Sequence, residues 1–214
     1  MSFAVKEIFY SLQGEGANVG RSAVFCRFAG CNLWSGQEED RATAECWFCD
    51  TDFVGTDGDG GGRFISAADL ADAVDKLWPA NGTGRKLVVC TGGEPLLQLT
   101  APLIDAFHAR GFEVAVESNG TIVPPPGIDW LTVSPKAGTE LLARSGQELK
   151  LVYPQAGLEG DRLDELERLD FDHFFLQPVD GLERARYTEM AAETCLLRPK
   201  WRLSLQIHKI LGLR

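Results

Sequence analysis

Apolar residues along the chain fall into short dense runs, separated by longer stretches in which they recur every three or four positions. Dense runs rich in β-branched and aromatic residues occur at 23–28, 86–90, 113–116, 130–133, 148–153, 173–176 and 202–205, and each predicts a strand. Helical spacing appears at 67–78, 97–110, 162–169 and 182–196. Ser66 and Asp69 stand three apart at the start of the first, the pattern of an N-terminal cap. Strands that alternate with helices build parallel βαβ units. The fold expected is α/β, an incomplete and open β/α barrel of about six parallel strands with its site at their C-terminal ends. No repeat or linker divides the 214 residues, so 1–214 is read as one domain.

Two biased segments interrupt this alternation. Residues 55–62 place Gly58, Gly60, Gly61 and Gly62 around Asp57 and Asp59, without the Gly-Lys-Ser/Thr ending of a phosphate loop. A flexible surface loop is expected there. Pro124-Pro125-Pro126 reads as a stiff turn.

Charge narrows the function. The chain carries 21 Lys and Arg against 31 Asp and Glu, a net charge of −10. Such a balance repels phosphate backbones and argues against direct nucleic-acid binding. The first residues lack a basic segment running into an apolar one, so no signal peptide is expected. No run approaches the roughly 18 apolar residues of a membrane span. A soluble, cytoplasmic protein with no membrane partner is therefore expected, in a compartment that keeps thiols reduced. Six cysteines there point to metal ligands, reactive groups or core packing before disulfides.

Cys31, Cys46 and Cys49 are spaced C-x14-C-x2-C, with Cys26 five residues ahead of Cys31. Cys90 ends an apolar run and Cys195 lies in a helical stretch, so both are assigned to packing. Two metal readings compete for the other four. All four thiolates close a tetrahedral zinc site in the first. In the second only Cys31, Cys46 and Cys49 bind an iron–sulfur cluster, which leaves one iron open. The extended run around Cys26 favours the second, because zinc ligands sit in tight knuckles. So does Thr91-Gly92-Gly93-Glu94-Pro95, two glycines between a strand and a helix, where backbone approaches a ligand closely.

Cys46-Trp47-Phe48-Cys49 followed by Gly92-Gly93-Glu94-Pro95 resembles the radical S-adenosylmethionine superfamily, although its usual triad is C-x3-C-x2-C. Further segments resemble one family, 7-carboxy-7-deazaguanine synthase, in which expanded triads are known. These are 9–16 (FYSLQGEG), 27–34 (RFAGCNLW), 49–52 (CDTD), 117–120 (ESNG), 134–136 (SPK), 148–152 (ELKLV) and 175–178 (FLQP), in order along nearly the whole chain.

The resemblance implies a ring contraction: 6-carboxy-5,6,7,8-tetrahydropterin becomes 7-carboxy-7-deazaguanine with loss of ammonia, on the route to queuosine. It implies a [4Fe–4S] cluster on the catalytic cysteines Cys31, Cys46 and Cys49, S-adenosylmethionine on its open iron, and Mg²⁺ at Thr51. S-adenosylmethionine is then expected near Phe48, Cys49, Asp50, Gly92, Gly93, Glu94, Glu117, Ser118, Ser134, Pro135, Lys136 and Gln177. The pterin is expected near Leu12, Gln13, Gly14, Glu15, Arg27 and Thr91. Arg27 has the planar fork that pairs with a carboxylate. A one-electron donor such as flavodoxin and a homodimer are also implied. The tail 201–214 has no acidic residue but carries Arg202, Lys209 and Arg214; a solvated tail is the simpler expectation, a fold over an anionic substrate through His208 the alternative. Two other functions stay open here: a structural zinc-binding interaction module, and a radical activase of a glycyl-radical partner.

Overall fold

Nine strands join into one mixed sheet in the computed structural model, which describes residues 2–214. In chain order they are β1 (Phe3–Leu12), β2 (Ser22–Phe28), β3 (Gly62–Phe64), β4 (Lys86–Gly92), β5 (Phe112–Ser118), β6 (Trp130–Val133), β7 (Ser145–Tyr153), β8 (Asp170–Pro178) and β9 (Trp201–Leu203). Five helices accompany them: α1 (Ala67–Asp75), α2 (Ala101–His108), α3 (Asp161–Glu167), α4 (Arg184–Leu197) and α5 (Ile207–Leu211). The sheet order is β3-β1-β2-β4-β5-β6-β7-β8-β9. From β2 to β9 every pairing is parallel, whereas β1 runs antiparallel to both β2 and β3.

The parallel run thus has seven strands rather than about six, and two antiparallel strands extend it on one side. The seventh, β9, is only three residues long and pairs with β8 alone. Neither antiparallel strand stood out in the sequence. In β1 the pairing slips between Val5 and Glu7, a bulge that puts Val5 and Ile8 in the same core layer and destroys strict alternation. Residues 55–62, expected as a loose loop, lie against β1: Gly58 N–H donates to Lys6 O (2.9 Å) and Ile8 N–H to Asp59 O (2.8 Å).

Alternation elsewhere sorts side chains into two layers, because successive strand residues point to opposite faces. Val24, Cys26, Phe28, Val88, Cys90, Val114, Val116, Leu149, Leu151 and Leu176 face the helices and form the main core with Leu70, Val74, Leu103, Ile104, Phe107, Leu163 and Ala191. Their alternates begin apolar on the other face, as Phe9, Ala23, Phe25, Leu87, Val89 and Ala115. Further along the same strands that face turns polar, with Thr91, Glu117, Thr132, Lys150 and Gln177.

Local chemistry sets the helix limits. Ser66 Oγ accepts from Asp69 N–H (3.1 Å) and caps α1 as expected. The helix stops at Asp75, and residues 76–78 close it in tighter turns, with Leu77 N–H on Val74 O and Trp78 N–H on Asp75 O (both 3.1 Å), before Pro79 disfavours helical backbone at Trp78. The stretch predicted at 97–110 splits: residues 95–97 make a 3₁₀ turn, and α2 starts only at Ala101, with Pro102 in its first turn where no donor is needed.

Candidate active site

A cavity of about 370 Å³ opens where β4, β5, β6, β7 and β8 end, walled on its other sides by β1, residues 31–53 and the tail. Charge of both signs lines it: Arg27, Lys136, Lys150, Lys209 and Arg214 against Glu7, Glu15, Asp50, Glu117 and Asp180.

Cys31, Cys46 and Cys49 all reach this cavity. Cys26 and Cys90 are fully buried in the helix-side core, where burial pushes both thiols up, Cys90 to about 12. Cys195 packs on that core from α4. The four-thiolate zinc arrangement fails on this geometry, because alternation points Cys26 away from the other three. Residues 32–45 fold over themselves: the Trp34 ring packs edge-on against Phe53, and Arg41 stacks 4.2 Å over Trp34. Arg41 Nη1 donates to Trp47 O (2.7 Å) and Cys49 O (3.0 Å), fixing the backbone that carries two of the cysteines. The Cys46 thiol donates toward Cys49 and brings Cys49 down to about 6, while the same bond and burial push Cys46 up.

Gly92 and Gly93 form the wall opposite. A Cβ on Gly93 would stand 2.1 Å from Gly30 O and 2.9 Å from Cys31 Cβ, so glycine lets this turn lie against the start of the cysteine loop. Gly93 N–H donates to Phe28 O (3.3 Å) and Glu94 N–H to Gly30 O (3.0 Å). The Glu94 carboxylate points behind the wall, not into the cavity. It is fully buried and accepts from Leu96 N–H (3.0 Å), Ser118 Oγ–H (2.9 Å) and Asn119 N–H (2.8 Å). Burial raises its pKa above the ordinary value. Pro135 likewise lies outside the cavity lining; its carbonyl accepts from Gln155 Nε2 (3.3 Å). Its neighbours do line it: Lys136 Nζ donates to Ser134 O and Oγ, both at 2.7 Å, and sits 5.9 Å from the Phe48 ring centre. Burial lowers the Lys136 ammonium.

One network makes up the floor. Glu117 accepts from Gln13 Nε2 (3.1 Å) and Thr91 Oγ–H (3.1 Å) and lies 3.6 Å from Lys150 Nζ. Lys150 also pairs with Glu15, which accepts from Gln206 Nε2 (2.9 Å). Burial works against the Glu15 charge, but the charge and hydrogen bond of Lys150 outweigh it and bring Glu15 down to about 2. Glu148 accepts from Ala17 N–H (2.9 Å) just beneath, and burial raises it. Gln177 accepts from Ser204 Oγ–H (3.2 Å).

The tail is tied down across the cavity rather than hanging free, although much of it stays exposed. Ile207 N–H donates to Gly14 O (3.0 Å), and His208 lies so close to Gly14 that a Cβ there would meet Nδ1 at 2.1 Å. Lys209 pairs with Asp50 (2.5 Å) and Asp180 (2.7 Å), and Arg214 with Glu7 (2.6 Å) and Asp59 (2.6 Å). Arg202 stands apart, over the Phe175 ring (4.9 Å). Arg27 reaches the cavity as expected, and its Nε is bonded to Glu7 (2.8 Å). Leu12, Gly14, Thr51 and Ser118 line the cavity too. Of the expected site residues, Glu94 and Pro135 alone fall outside it.

Comparison with known proteins decides the family. The chain is 61% identical over 214 residues to 7-carboxy-7-deazaguanine synthase of Bradyrhizobium diazoefficiens, covering 100% of both chains. The same enzyme of Bordetella pertussis is 59% identical over 213 residues, again covering 100% of both. This chain belongs to the 7-carboxy-7-deazaguanine synthase family. Among solved structures, QueE from Escherichia coli superposes with a TM-score of 0.73 at 30% identity, covering 96% of this chain and 94% of that one. No family model matches the chain. As a 7-carboxy-7-deazaguanine synthase, it is an enzyme and not a zinc-binding interaction module or a glycyl-radical activase. Among the described residues, no group of three or more His, Cys, Asp or Glu side chains is placed to hold a single metal ion, and no helix is long and apolar enough to cross a membrane.

Sequence reasoning missed Arg41, Lys150, Glu7 and the ion pairs of Lys209 and Arg214. For Arg41 the position inside the insert was the available signal, whereas Lys150 lay in the matching segment 148–152 with no role attached to it. Their partners lie up to 207 positions away along the chain. His108 and His173 are structural: His108 Nε2 meets Asp129 Oδ2 (2.8 Å), and His173 stacks on Trp130.

Proposed function

We propose that the cavity carries out the ring contraction of 6-carboxy-5,6,7,8-tetrahydropterin to 7-carboxy-7-deazaguanine, with release of ammonia, on the route to queuosine. The observation that carries this reading is the sorting of the thiols: Cys31, Cys46 and Cys49 reach one polar cavity, while the other three serve the core. Three thiolates suit a [4Fe–4S] cluster that keeps one iron open. When bound, the cluster supplies the electron that cleaves S-adenosylmethionine into a hydrogen-abstracting radical, chemistry that belongs to the cofactor. We read the sheet as a partial β/α barrel with this site at its C-terminal mouth.

The chain's own residues bind and orient. Gly92, Gly93, Ser134, Lys136 and Gln177 offer backbone and side-chain groups to S-adenosylmethionine, with Phe48, Asp50, Glu117 and Ser118 around it. Glu94 acts from behind by fixing Ser118 and Asn119. Arg27, with its Nη groups unpartnered among the described residues, faces the substrate carboxylate, while Gln13, Glu15, Thr91 and His208 face the pterin ring. Thr51 presents a hydroxyl, a hard oxygen donor of the kind Mg²⁺ takes, within reach of that carboxylate's expected place. Magnesium there would polarise the bound acid. Lys209 and Arg214 close the mouth and exclude water. A one-electron donor of flavodoxin type and a homodimeric, cytoplasmic enzyme complete the reading.

Anaerobic reconstitution tests it. Native protein and Cys26→Ala are expected to bind about four irons per chain, and Cys31→Ala, Cys46→Ala and Cys49→Ala to lose them. The native enzyme, given S-adenosylmethionine, reductant, Mg²⁺ and the carboxytetrahydropterin, should yield a deazapurine. Full iron in Cys31→Ala, or stoichiometric zinc with no such product, would sink the proposal.

A further inference from the structure

Lys150 is the sole cation among three carboxylates on the cavity floor. Glu15 comes from the end of β1, Glu117 from the end of β5 and Glu148 from β7 itself, and all three act on Lys150. The Lys150 side chain is 7% exposed, Glu15 13% and Glu117 25%, so this group is largely shielded from solvent. The other charged groups near it are Lys136 from beyond β6 and His208 from α5. The reaction assigned above gives Lys150 nothing to do.

Its geometry gives it a role. Glu15 spends one oxygen on Lys150 and the other on Gln206, while Glu117 spends its own on Gln13 and Thr91. A carboxylate has about four lone-pair sites, so each acid keeps acceptor capacity toward the cavity. Both acids line that cavity. Two carboxylates that meet the same ammonium in a shielded site do not both stay ionised without it. We propose that Lys150 is a positioning residue: the shared cation that fixes Glu15 and Glu117 side by side as paired acceptors for the N–H edge of the ring substrate. This rests on the pterin occupying the cavity as read above. Consistent with it, Glu15 is held at about 2 and Lys150 is raised, whereas Glu148, turned toward Ala17 N–H, is raised.

Removing Lys150 leaves the acids without their counterion, so one takes up a proton and presents O–H where the ring presents N–H. The test is the dissociation constant of 6-carboxytetrahydropterin for the cluster-loaded enzyme, measured anaerobically by calorimetry from pH 6 to pH 8.5 (an order-of-magnitude working range for carboxyls displaced by burial). Native enzyme should bind with little pH dependence. Lys150→Met should bind about tenfold or more weakly at neutral pH, with affinity recovering as pH rises. In the Glu15→Gln background, adding Lys150→Met should cost little, because Glu117 then faces no second charged carboxylate and stays ionised without the shared cation. Should Lys150→Met alone not fold, the comparison of E15Q with E15Q/K150M carries the test. A loss from K150M that is equal at all pH values, or equally large in the E15Q background, overturns the proposal. If E15Q itself binds the pterin like native enzyme, the placement of the ring against Glu15 fails, and the role of Lys150 fails with it.

Discussion

Replacing Glu94 probes how the wall of the cavity is held. Its carboxylate, fully buried, takes three donors: Leu96 N–H, Ser118 Oγ–H and Asn119 N–H, at 3.0, 2.9 and 2.8 Å. Glu94→Ala strands both backbone N–H groups, which cannot turn elsewhere, and frees a hydroxyl. A buried donor left unmade costs about 1–3 kcal/mol, so the two stranded N–H groups predict a loss of about 2–6 kcal/mol. That is a large share of the roughly 5–15 kcal/mol by which domains are stable. Glu94→Gln keeps one acceptor oxygen for Leu96 and Ser118 but turns an NH₂ toward Asn119 N–H, donor against donor, for about 1–3 kcal/mol. Urea unfolding followed by tryptophan fluorescence reads both as a lower midpoint at an unchanged slope. If Glu94→Gln matched the native protein and Glu94→Ala lost less than about 1 kcal/mol, the carboxylate would not be the tie described here. The same outcome would return Glu94 to the cavity, where the sequence had placed it.

Two further outcomes follow from the same geometry. Gly93→Ala puts a methyl 2.1 Å from Gly30 O, so the turn must shift off the cysteine loop; a loss of about 1–3 kcal/mol in thermal unfolding is expected, together with reduced iron on reconstitution. Native stability with full iron content would refute it. Glu15 has a folded-state pKa lowered from 4.5 to about 2, so its stabilisation is present above pH 4.5 and fades as pH falls toward 2. The stability gap between native protein and Glu15→Gln should accordingly narrow across that window in acid titrations of urea midpoints; a gap unchanged between pH 5 and pH 2.5 (working limits on the order of the linkage window) would refute it.

How much could be read beforehand depended on the range of the interactions. Parallel strands β2 and β4 to β8 were legible because each carries a dense apolar run with a period of two; the three-residue β9 was marked only by the run at 202–205. β1 was not, since its bulge at Val5–Glu7 breaks that period, and β3 is too short to show one. Segment identity picked residues that nearly all line one cavity, yet it could not orient them. Glu94 sits in the expected turn with its side chain directed the other way, because Ser118 and Asn119, 24 and 25 residues on, offer it partners. The tail's cations look solvated in a sequence; their acids lie in the Gly-rich segment, beside the cysteine loop, in β1 and just past β8, and only folding brings them within reach.

Those tail pairings also order events in time. Arg214 meets Glu7 across 207 residues, Ser11 Oγ donates to Arg214 O across 203, and Gln206 meets Glu15 across 191. The β7–β8 and β4–β5 pairings, by contrast, join neighbours in the chain. Closing a loop of such length costs chain entropy before any contact repays it. Loop entropy therefore predicts that the sheet assembles before the mouth, and that hydrogen exchange finds its earliest local opening at the mouth.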